Sequence, residues 1–188
     1  MFSRWSKTFA SALTACAVAM STTTAHAELV VRNDLKRAFD DAGVSGTFVL
    51  MDIGADRTYV VDPARAARRI HPASTFKIPN SLIAFDTGAV RDDQEVLPYG
   101  GKPQPYQQWE HDMALPEAIR LSAVPIYQEV ARRVGLERMQ AYVDAFEYGN
   151  RQLGSVIDQF WLRGPLEISA FEEARFTSRM ALKQLPVK

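Results

Sequence analysis

The sequence predicts an α+β fold, with a small antiparallel sheet followed by a large helical region. Two runs rich in β-branched and aromatic residues, 46–53 and 57–62, flank a short turn that contains Gly54 and Asp56, and this is the pattern of a β-hairpin. Beyond residue 72, apolar residues recur at helical spacing and are interrupted by proline and glycine. We therefore expect one hairpin near the N-terminal side and helices after it.

An amphipathic helix is predicted over residues 30–42, before the hairpin. Leu35 and Phe39 lie on one face, Asn33 offers a start and Gly43 a stop. With a helix here, the hairpin has no third strand to pair with, and two strands alone are only marginally stable. This predicts a chain that stops before its sheet is complete.

The helical region begins after Pro72 with a buried helix that ends near Gly88. Residues 96–108, rich in glycine, proline and glutamine, are predicted to form a loop. A further helix is expected over residues 136–146.

Four residues mark other helix ends in this region. Pro116 and Pro125 suit the first turns of two helices, and Gly135 suits a C-terminal cap. Ser169 and the glutamate three residues later form a capping-box pattern that starts a last helix running toward Leu182.

Residues 1–27 have the composition of a secretory signal peptide. Arg4 and Lys7 form a basic start, an apolar stretch follows, and Ala27 ends a small-x-small cleavage site. The apolar stretch is shorter than the roughly 20 residues that span a bilayer, so we expect no transmembrane segment in the mature chain, residues 28–188. Periplasmic release is predicted, and a lipoprotein anchored at Cys16 is the alternative.

The composition of the mature chain argues against several classes of function. The whole chain has 22 basic and 22 acidic side chains, so loss of Arg4 and Lys7 leaves a net charge of −2 and no footprint for nucleic acid. The only cysteine, Cys16, lies in the leader, which leaves no disulfide and no thiolate metal site. His71 and His111 fall short of a zinc site and have no evident carboxylate partner for a Ser–His hydrolase. No metal cofactor is expected.

Ser74 and Lys77 are three residues apart, which places a hydroxyl and an amine on the same face of a helix. Serine needs a base within hydrogen-bond reach, and a lysine with a pKa of about 10.4 cannot serve as one at neutral pH. Burial lowers a lysine pKa by disfavouring the charged form. The apolar residues expected to provide such a pocket are Phe76, Ile78, Leu82, Ile83 and Phe85.

On this motif alone, an ordinary capped helix with an exposed lysine is an equal alternative. Pro79 favours a functional site, because a proline inside a helix removes a backbone donor and such breaks in local rules gather at functional sites.

Four short motifs occur in a defined order along the chain: Ser74-Thr-Phe-Lys77, Ser122-Ala-Val124, Tyr148-Gly-Asn150 and Phe160-Trp-Leu162. In this order they resemble the motifs of the class D serine β-lactamases, the oxacillinases, and the resemblance covers residues 30–188. It implies the fold shared by β-lactamases and penicillin-binding transpeptidases, an antiparallel sheet with a helical subdomain. It also implies hydrolysis of a β-lactam small-molecule substrate through an acyl-serine intermediate, as in antibiotic resistance.

The resemblance implies a role for each matching residue. Ser74 corresponds to the nucleophile, and Lys77 to the general base, as an N6-carboxylysine formed with carbon dioxide or bicarbonate. Ser122 corresponds to the proton shuttle to the lactam nitrogen. The supporting residues are Trp161, which holds the carbamate, Val124 and Leu162, which line the entrance to the lysine pocket, and Tyr148, Gly149 and Asn150 of the third motif.

Each of these later motifs also has a purely structural interpretation. Trp161 suits a hydrophobic core, Tyr148-Gly-Asn150 suits a turn, and Ser122 before Pro125 suits a helix cap.

The resemblance fails at the last family motif, because no Lys-Thr-Gly or Lys-Ser-Gly occurs in the 188 residues. The segment around it would hold further strands, the second oxyanion donor, the residues that bind the substrate carboxylate and the C-terminal helix. We therefore expect a C-terminally truncated domain that is poorly folded and inactive. The alternatives are a penicillin-binding or sensor domain that acylates without turnover, and a non-catalytic periplasmic fragment.

Overall fold

The computed structural model describes residues 27–188, so the predicted signal peptide lies outside the described residues except for Ala27. The elements follow in this order: β1 (Glu28–Val31), a 3₁₀ turn (Asn33–Lys36), α1 (Arg37–Asp41), β2 (Phe48–Asp52), β3 (Arg57–Val61), α2 (Pro63–Ala67), a 3₁₀ turn (Ala73–Phe76), α3 (Lys77–Asp86), a 3₁₀ turn (Gln107–Trp109), α4 (Leu115–Arg120), α5 (Val124–Val134), α6 (Leu136–Ala145), α7 (Phe160–Arg163) and α8 (Ala170–Ala181). From Ala27 onward, none of these helices has the length and hydrophobicity needed to cross a bilayer.

The sheet has the strand order β1-β3-β2. The predicted hairpin is present, since β2 and β3 are antiparallel with Leu50 opposite Tyr59. The predicted helix over residues 30–42 is wrong at its start, because Val30 and Val31 belong to β1, which runs parallel to β3. Their β-branched side chains suit an extended strand. The hairpin therefore does have a third strand, and the sheet is mixed rather than antiparallel.

The helix that follows Ser74 differs from the prediction in its first turn. Residues Ala73–Phe76 form a 3₁₀ turn, and α3 begins only at Lys77. Pro79 therefore lies in the first turn of α3, where a backbone N–H has no intrahelical partner. Its interpretation as a break in helical rules is wrong, since proline is tolerated at this position.

The other helix signals are confirmed. Pro116 and Pro125 lie in the first turns of α4 and α5, and Gly135 caps α5 with a positive φ. Ser169 and Glu172 form a complete capping box at the start of α8. Most of residues 96–108 is irregular, as predicted.

The hydrophobic core lies among the helices rather than at the sheet. Helix α3 packs against α5, and α8 packs against β2 and α2. The largest fully buried side chains in the described part of the chain are Trp161, Tyr127, Tyr148, Phe76, Lys77, Phe146 and Phe160. One lysine in this set is unusual, because charged residues are almost never fully buried. The core therefore surrounds Lys77, the lysine of the Ser-x-x-Lys motif.

Candidate active site

Three predicted site residues meet at one point. The Ser74 Oγ lies 2.9 Å from the Lys77 Nζ and 2.8 Å from the Ser122 Oγ. Ser74 is exposed, whereas Lys77 is 2% exposed. A hydroxyl open to solvent is thus in hydrogen-bond contact with a buried amine on one side and with a second hydroxyl on the other. Contacts of this kind can activate a serine hydroxyl as a nucleophile.

The local backbone explains how these side chains meet. Lys77 directly follows the 3₁₀ turn, and its backbone N–H donates to the carbonyl of Ser74. A bond of this i to i+3 type brings side chains three residues apart into line, which aligns Ser74 with Lys77. Ala73 and Ser122 both have positive φ values, of 49° and 54°. A non-glycine residue in this conformation carries backbone strain of about 1–3 kcal/mol, and such residues cluster at active sites. Both serines are therefore presented by strained turns.

Lys77 has the environment that a lysine base requires. Burial lowers its pKa from 10.5 to about 8, and desolvation is the cause. Of the five apolar residues predicted around it, Phe76 and Ile83 are fully buried, and Ile78 and Leu82 are partly buried against the core. Phe85 is 41% exposed on the outer face of α3, so its place in the predicted pocket is wrong.

Ser122 does not cap a helix. The N-cap of α5 is Ala123, which has no side-chain cap, and the Ser122 hydroxyl points instead to Ser74. The Trp109 indole N–H donates to the carbonyl of Leu121 at 3.0 Å and so holds the residue next to Ser122. Of the two interpretations of Ser122, the helix cap is therefore wrong, and its role in the chemistry of the site stays a prediction.

Trp161 is fully buried and stacks on Phe76 at a centroid distance of 5.7 Å. It therefore packs in the core and, at the same time, borders the residue that precedes Lys77. Leu162 follows it in α7 and is partly buried against the core, and Val124 is the partly buried first residue of α5. Their roles at the lysine pocket stay predictions.

The Tyr148-Gly149-Asn150 segment contacts the 3₁₀ turn that carries Ser74, helix α8 and the loop before α8. The Tyr148 hydroxyl donates to Glu173 at 2.7 Å, and its ring packs edge-on against Phe76 at 5.6 Å. Burial raises the pKa of Tyr148 well above its ordinary value. Asn150 exchanges backbone and side-chain hydrogen bonds with Glu167.

Gly149 explains why this third motif contains glycine. Its φ is 55°, and a Cβ at this position would lie 2.1 Å from the carbonyl oxygen of Glu167. The motif thus has a structural role, because it brings the backbone of Gly149 against the backbone of Glu167.

The histidines do not join the site. Contrary to the prediction, His111 does have a carboxylate neighbour, with its Nε2 3.4 Å from Glu117. This pair is exposed, and no serine hydroxyl is hydrogen-bonded to His111 among residues 27–188. His71 lies 3.3 Å from the carbonyl of Leu166. Within the described residues there is no group of three or more histidine, cysteine, aspartate or glutamate side chains placed to hold a metal.

Three residues beside Lys77 belong to none of the four motifs. Tyr127 of α5 places its ring 5.6 Å from the Lys77 Nζ, and Asn80 and Ser81 of α3 bond to Tyr127. Ser81 is four residues after Lys77, so helical spacing alone brings it near. Nothing in the sequence indicates that Tyr127 lies opposite.

Comparison with known proteins identifies the family. The model of the penicillin-binding protein transpeptidase domain matches residues 15–187. The chain belongs to this family.

Within the family, the predicted resemblance to class D β-lactamases is confirmed. Beta-lactamase OXA-5 of Pseudomonas aeruginosa is 45% identical over 150 residues, which are 80% of this chain and 56% of that protein. Beta-lactamase OXA-10 of the same organism is 39% identical over 180 residues, 95% of this chain and 66% of that protein. The chain thus spans less than two thirds of the length of these relatives.

Solved structures agree with both the fold and the family. The crystal structure of FUS-1 (OXA-85), a class D β-lactamase from Fusobacterium nucleatum subsp. polymorphum, has a TM-score of 0.79 at 40% identity over 82% of this chain and 64% of that chain. The class D β-lactamase YbXI from Nostoc has a TM-score of 0.80 at 37% identity, over 82% and 65% of the two chains. The α+β, transpeptidase-like fold is confirmed.

Proposed function

We propose that this chain carries the acylation machinery of a β-lactam hydrolase, with Ser74 as nucleophile, Lys77 as base and Ser122 as proton shuttle. The observation that carries the proposal is the contact of the Ser74 Oγ with both the buried Lys77 amine and the Ser122 hydroxyl. Relatives of this chain are named β-lactamases.

The reaction follows from this arrangement. The Ser74 oxygen attacks the lactam carbonyl carbon as its proton passes to the base at Lys77. The C–N bond of the lactam breaks, and a proton relayed through Ser122 reaches the nitrogen. The product is an ester on Ser74, and a water activated by the same base hydrolyses it to free the serine. The Ser74 backbone N–H, in the turn before α3, contributes one donor to the developing oxyanion.

The surroundings of Lys77 suit reaction with carbon dioxide. Carbamate formation needs a neutral amine, and a pKa of about 8 makes a larger neutral fraction available at neutral pH than an ordinary lysine has. The carbamate group supplies an anionic oxygen base when present. The indole N–H of the buried Trp161 is a donor without acceptor capacity, so its chemistry matches an anion.

The test is covalent labelling of the 188-residue chain with a fluorescent penicillin, followed by mass spectrometry of the labelled peptide. We expect the label on Ser74, loss of it in Ser74→Ala, and a large rate decrease in Lys77→Ala and Ser122→Ala. Ser155→Ala, an exposed serine outside the site, is the matched control. Absence of label from the folded wild-type chain contradicts the proposal and favours a non-catalytic fragment.

Turnover separates the hydrolase from the penicillin-sensing alternative. A hydrolase with a carbamate base loses activity without bicarbonate and regains it on addition, whereas a sensor keeps its label in both conditions.

Export to the periplasm, with cleavage after Ala27, is proposed from the composition of residues 1–27. Cell fractionation and the mass of the exported chain test it. A lipid-modified N-terminus at Cys16 would favour the anchored alternative.

A further inference from the structure

The interface between α3 and α5 is polar at one point, beside Lys77. Tyr127 of α5 is fully buried, and its ring centroid is 5.6 Å from the Lys77 Nζ. The ring therefore forms part of the wall that separates the amine from water. The other polar groups at the amine are the hydroxyls of Ser74 and, one step further, Ser122.

Tyr127 is held at both ends by residues one turn beyond Lys77. The Asn80 side-chain amide donates to the backbone carbonyl of Tyr127 at 3.1 Å. The hydroxyl of Tyr127 lies 3.0 Å from the Ser81 Oγ. The position of this aromatic ring is thus fixed by hydrogen bonds from α3 as well as by packing.

The direction of the Ser81 contact follows from its second bond. The Ser81 Oγ donates to the carbonyl of Lys77 at 2.9 Å. A hydroxyl has only one proton to donate, so Ser81 accepts the proton of the Tyr127 hydroxyl. A continuous chain of donors therefore runs from the Tyr127 ring through Ser81 to the backbone of Lys77 itself.

The side chain of Asn80 has a buried oxygen without a hydrogen-bond partner among the described residues, which is unfavourable for the free energy of folding. It is fully buried, and its Oδ1 is the one buried side-chain acceptor without a partner found among residues 27–188. Such orphaned groups are rare in native proteins and call for a reason to keep them. Holding Tyr127 in place supplies that reason.

We propose that Asn80 and Ser81 are positioning residues that hold the Tyr127 ring against the Lys77 amine and so keep the amine dry. The pKa shift of Lys77 arises from desolvation rather than from a neighbouring charge, which makes the wall around the amine its main determinant. The use of the amine as a base rests on the proposed function, whereas the placement of the ring does not.

The test is an NMR titration of the 188-residue chain labelled with ¹³C at the lysine Cε, which reads the Lys77 pKa without any substrate. The chain has only six lysines, and Lys77→Arg assigns the signal. Ser81→Ala leaves the buried Tyr127 hydroxyl without an acceptor, so the ring is expected to turn toward water. We expect the Lys77 pKa to rise by about one unit.

The double variant Ser81→Ala/Tyr127→Phe makes the test sharper. It removes the hydroxyl that has lost its acceptor, and replacing both partners is nearly neutral where removing one is not. We expect the Lys77 pKa to return to its wild-type value. Tyr127→Leu replaces the ring by a smaller side chain that admits water beside the amine, and we expect the Lys77 pKa to rise. The ring face itself favours the protonated amine, so loss of that contact alone would lower the pKa. This variant does not depend on the folding of Ser81→Ala.

Ser178→Ala is the matched control, because Ser178 also bonds the carbonyl four residues earlier in a helix, at 2.8 Å, but lies in α8. It should leave the Lys77 titration unchanged. The proposal is overturned if Ser81→Ala and Tyr127→Leu titrate like the wild type, or if Tyr127→Phe fails to restore the Ser81→Ala variant.

Penicillin labelling of the same samples separates the two proposals. If the variants shift the Lys77 pKa but the wild type is not labelled, the hydrolase proposal is rejected and the positioning role is kept. If the wild type is labelled but the variants leave the Lys77 pKa unchanged, the positioning role is rejected and the hydrolase proposal is kept.

Discussion

The helical core around Ser74 and the three-stranded sheet differ sharply in how much apolar surface they bury. Phe76, Tyr148 and Trp161 of the core are all fully buried. In the sheet, Phe48 and Leu50 of β2 are 44% and 50% exposed, and Leu29 of β1 is 51% exposed. Leu50 lies opposite Tyr59 and Leu29 opposite Thr58, so Phe48 and Leu50 share one face of the sheet and Leu29 lies on the other. The sheet thus leaves apolar side chains partly exposed on both of its faces.

The difference shows which part of the chain supports the candidate site. Ser74, Lys77 and Ser122 all come from the helical region, and the sheet contributes none of them. The turn that presents Ser74 contains Phe76, which packs in this aromatic cluster, and the residue before Ser122 is held by the Trp109 indole. The reactive geometry at Ser74 therefore depends on the helical core and little on the outer face of the sheet.

Replacing Phe76 by alanine should have the largest effect. This ring touches Tyr148, Phe160 and Trp161, so its removal leaves a cavity in the helical core. We expect a loss of about 3–5 kcal/mol in the free energy of unfolding, measured by urea denaturation. Phe48→Ala, the same change at the exposed sheet residue, should cost much less. Equal losses would erase the distinction between the two regions.

Gly149→Ala should have the second largest effect, a loss of about 2–4 kcal/mol in the free energy of unfolding measured by urea denaturation. The substitution combines a left-handed φ with a clash against the Glu167 carbonyl. Gly43→Ala is its control beside the sheet. Gly43 has a φ of 65° with no atom within 4 Å of the added Cβ, so only the backbone term of about 1–2 kcal/mol applies. Similar losses at both positions would show that the close contact of Gly149 with the Glu167 carbonyl does not constrain the core.

The motifs made Ser74, Lys77 and Ser122 predictable from the sequence, because their chemistry and their order are both unusual. Helical spacing also predicted that Ser74 and Lys77 share a face, but nothing in the sequence indicated that Ser122 would meet Ser74. Nothing about an alanine indicates the positive φ of Ala73, which tertiary packing imposes. The position of Ser81 near Lys77 could be predicted from helical spacing. That of its partner Tyr127 could not, since their contact spans 46 residues.

The sheet was harder to predict than the helices for a related reason. Helix ends are marked locally, as Ser169 and Gly135 show. Strand β1 has only four residues, and it pairs in parallel with a strand 29 residues further along the chain, Glu28 opposite Arg57. Its apolar residues also fit a helical pattern, so only the long-range pairing determines that this segment is a strand rather than a helix.

Lys77→Met should stabilise the protein at neutral pH, by about 2 kcal/mol, because it removes the desolvation of a buried amine. The pKa of Lys77 is lowered to about 8 in the folded state, so between this value and 10.5 the unfolded chain binds the extra proton. Wild-type stability therefore rises with pH over this window. The gain from Lys77→Met should be greatest below pH 8 and shrink toward pH 10.5 in urea denaturation series.

The control for this change is Lys102→Met, which alters an exposed lysine in the loop over residues 96–108. We expect no stabilisation from it at any pH. A Lys77→Met variant that is less stable than the wild type at pH 7 would mean that the contact with Ser74 outweighs the cost of burying the amine.

Leu50→Thr should have the smallest effect on stability and tests the other side of the comparison. Leu50 lies on the edge strand β2 and is half exposed, so we expect the free energy of unfolding to change by no more than about 0.5 kcal/mol. Self-association, measured by analytical ultracentrifugation, should decrease, because exposed apolar edge strands promote pairing between chains. Val60→Thr, on the central strand, buries a hydroxyl at a fully buried position and should cost about 1–3 kcal/mol. If Leu50→Thr costs as much as Val60→Thr, the outer face of the sheet is covered in solution, and the contrast with the helical core disappears.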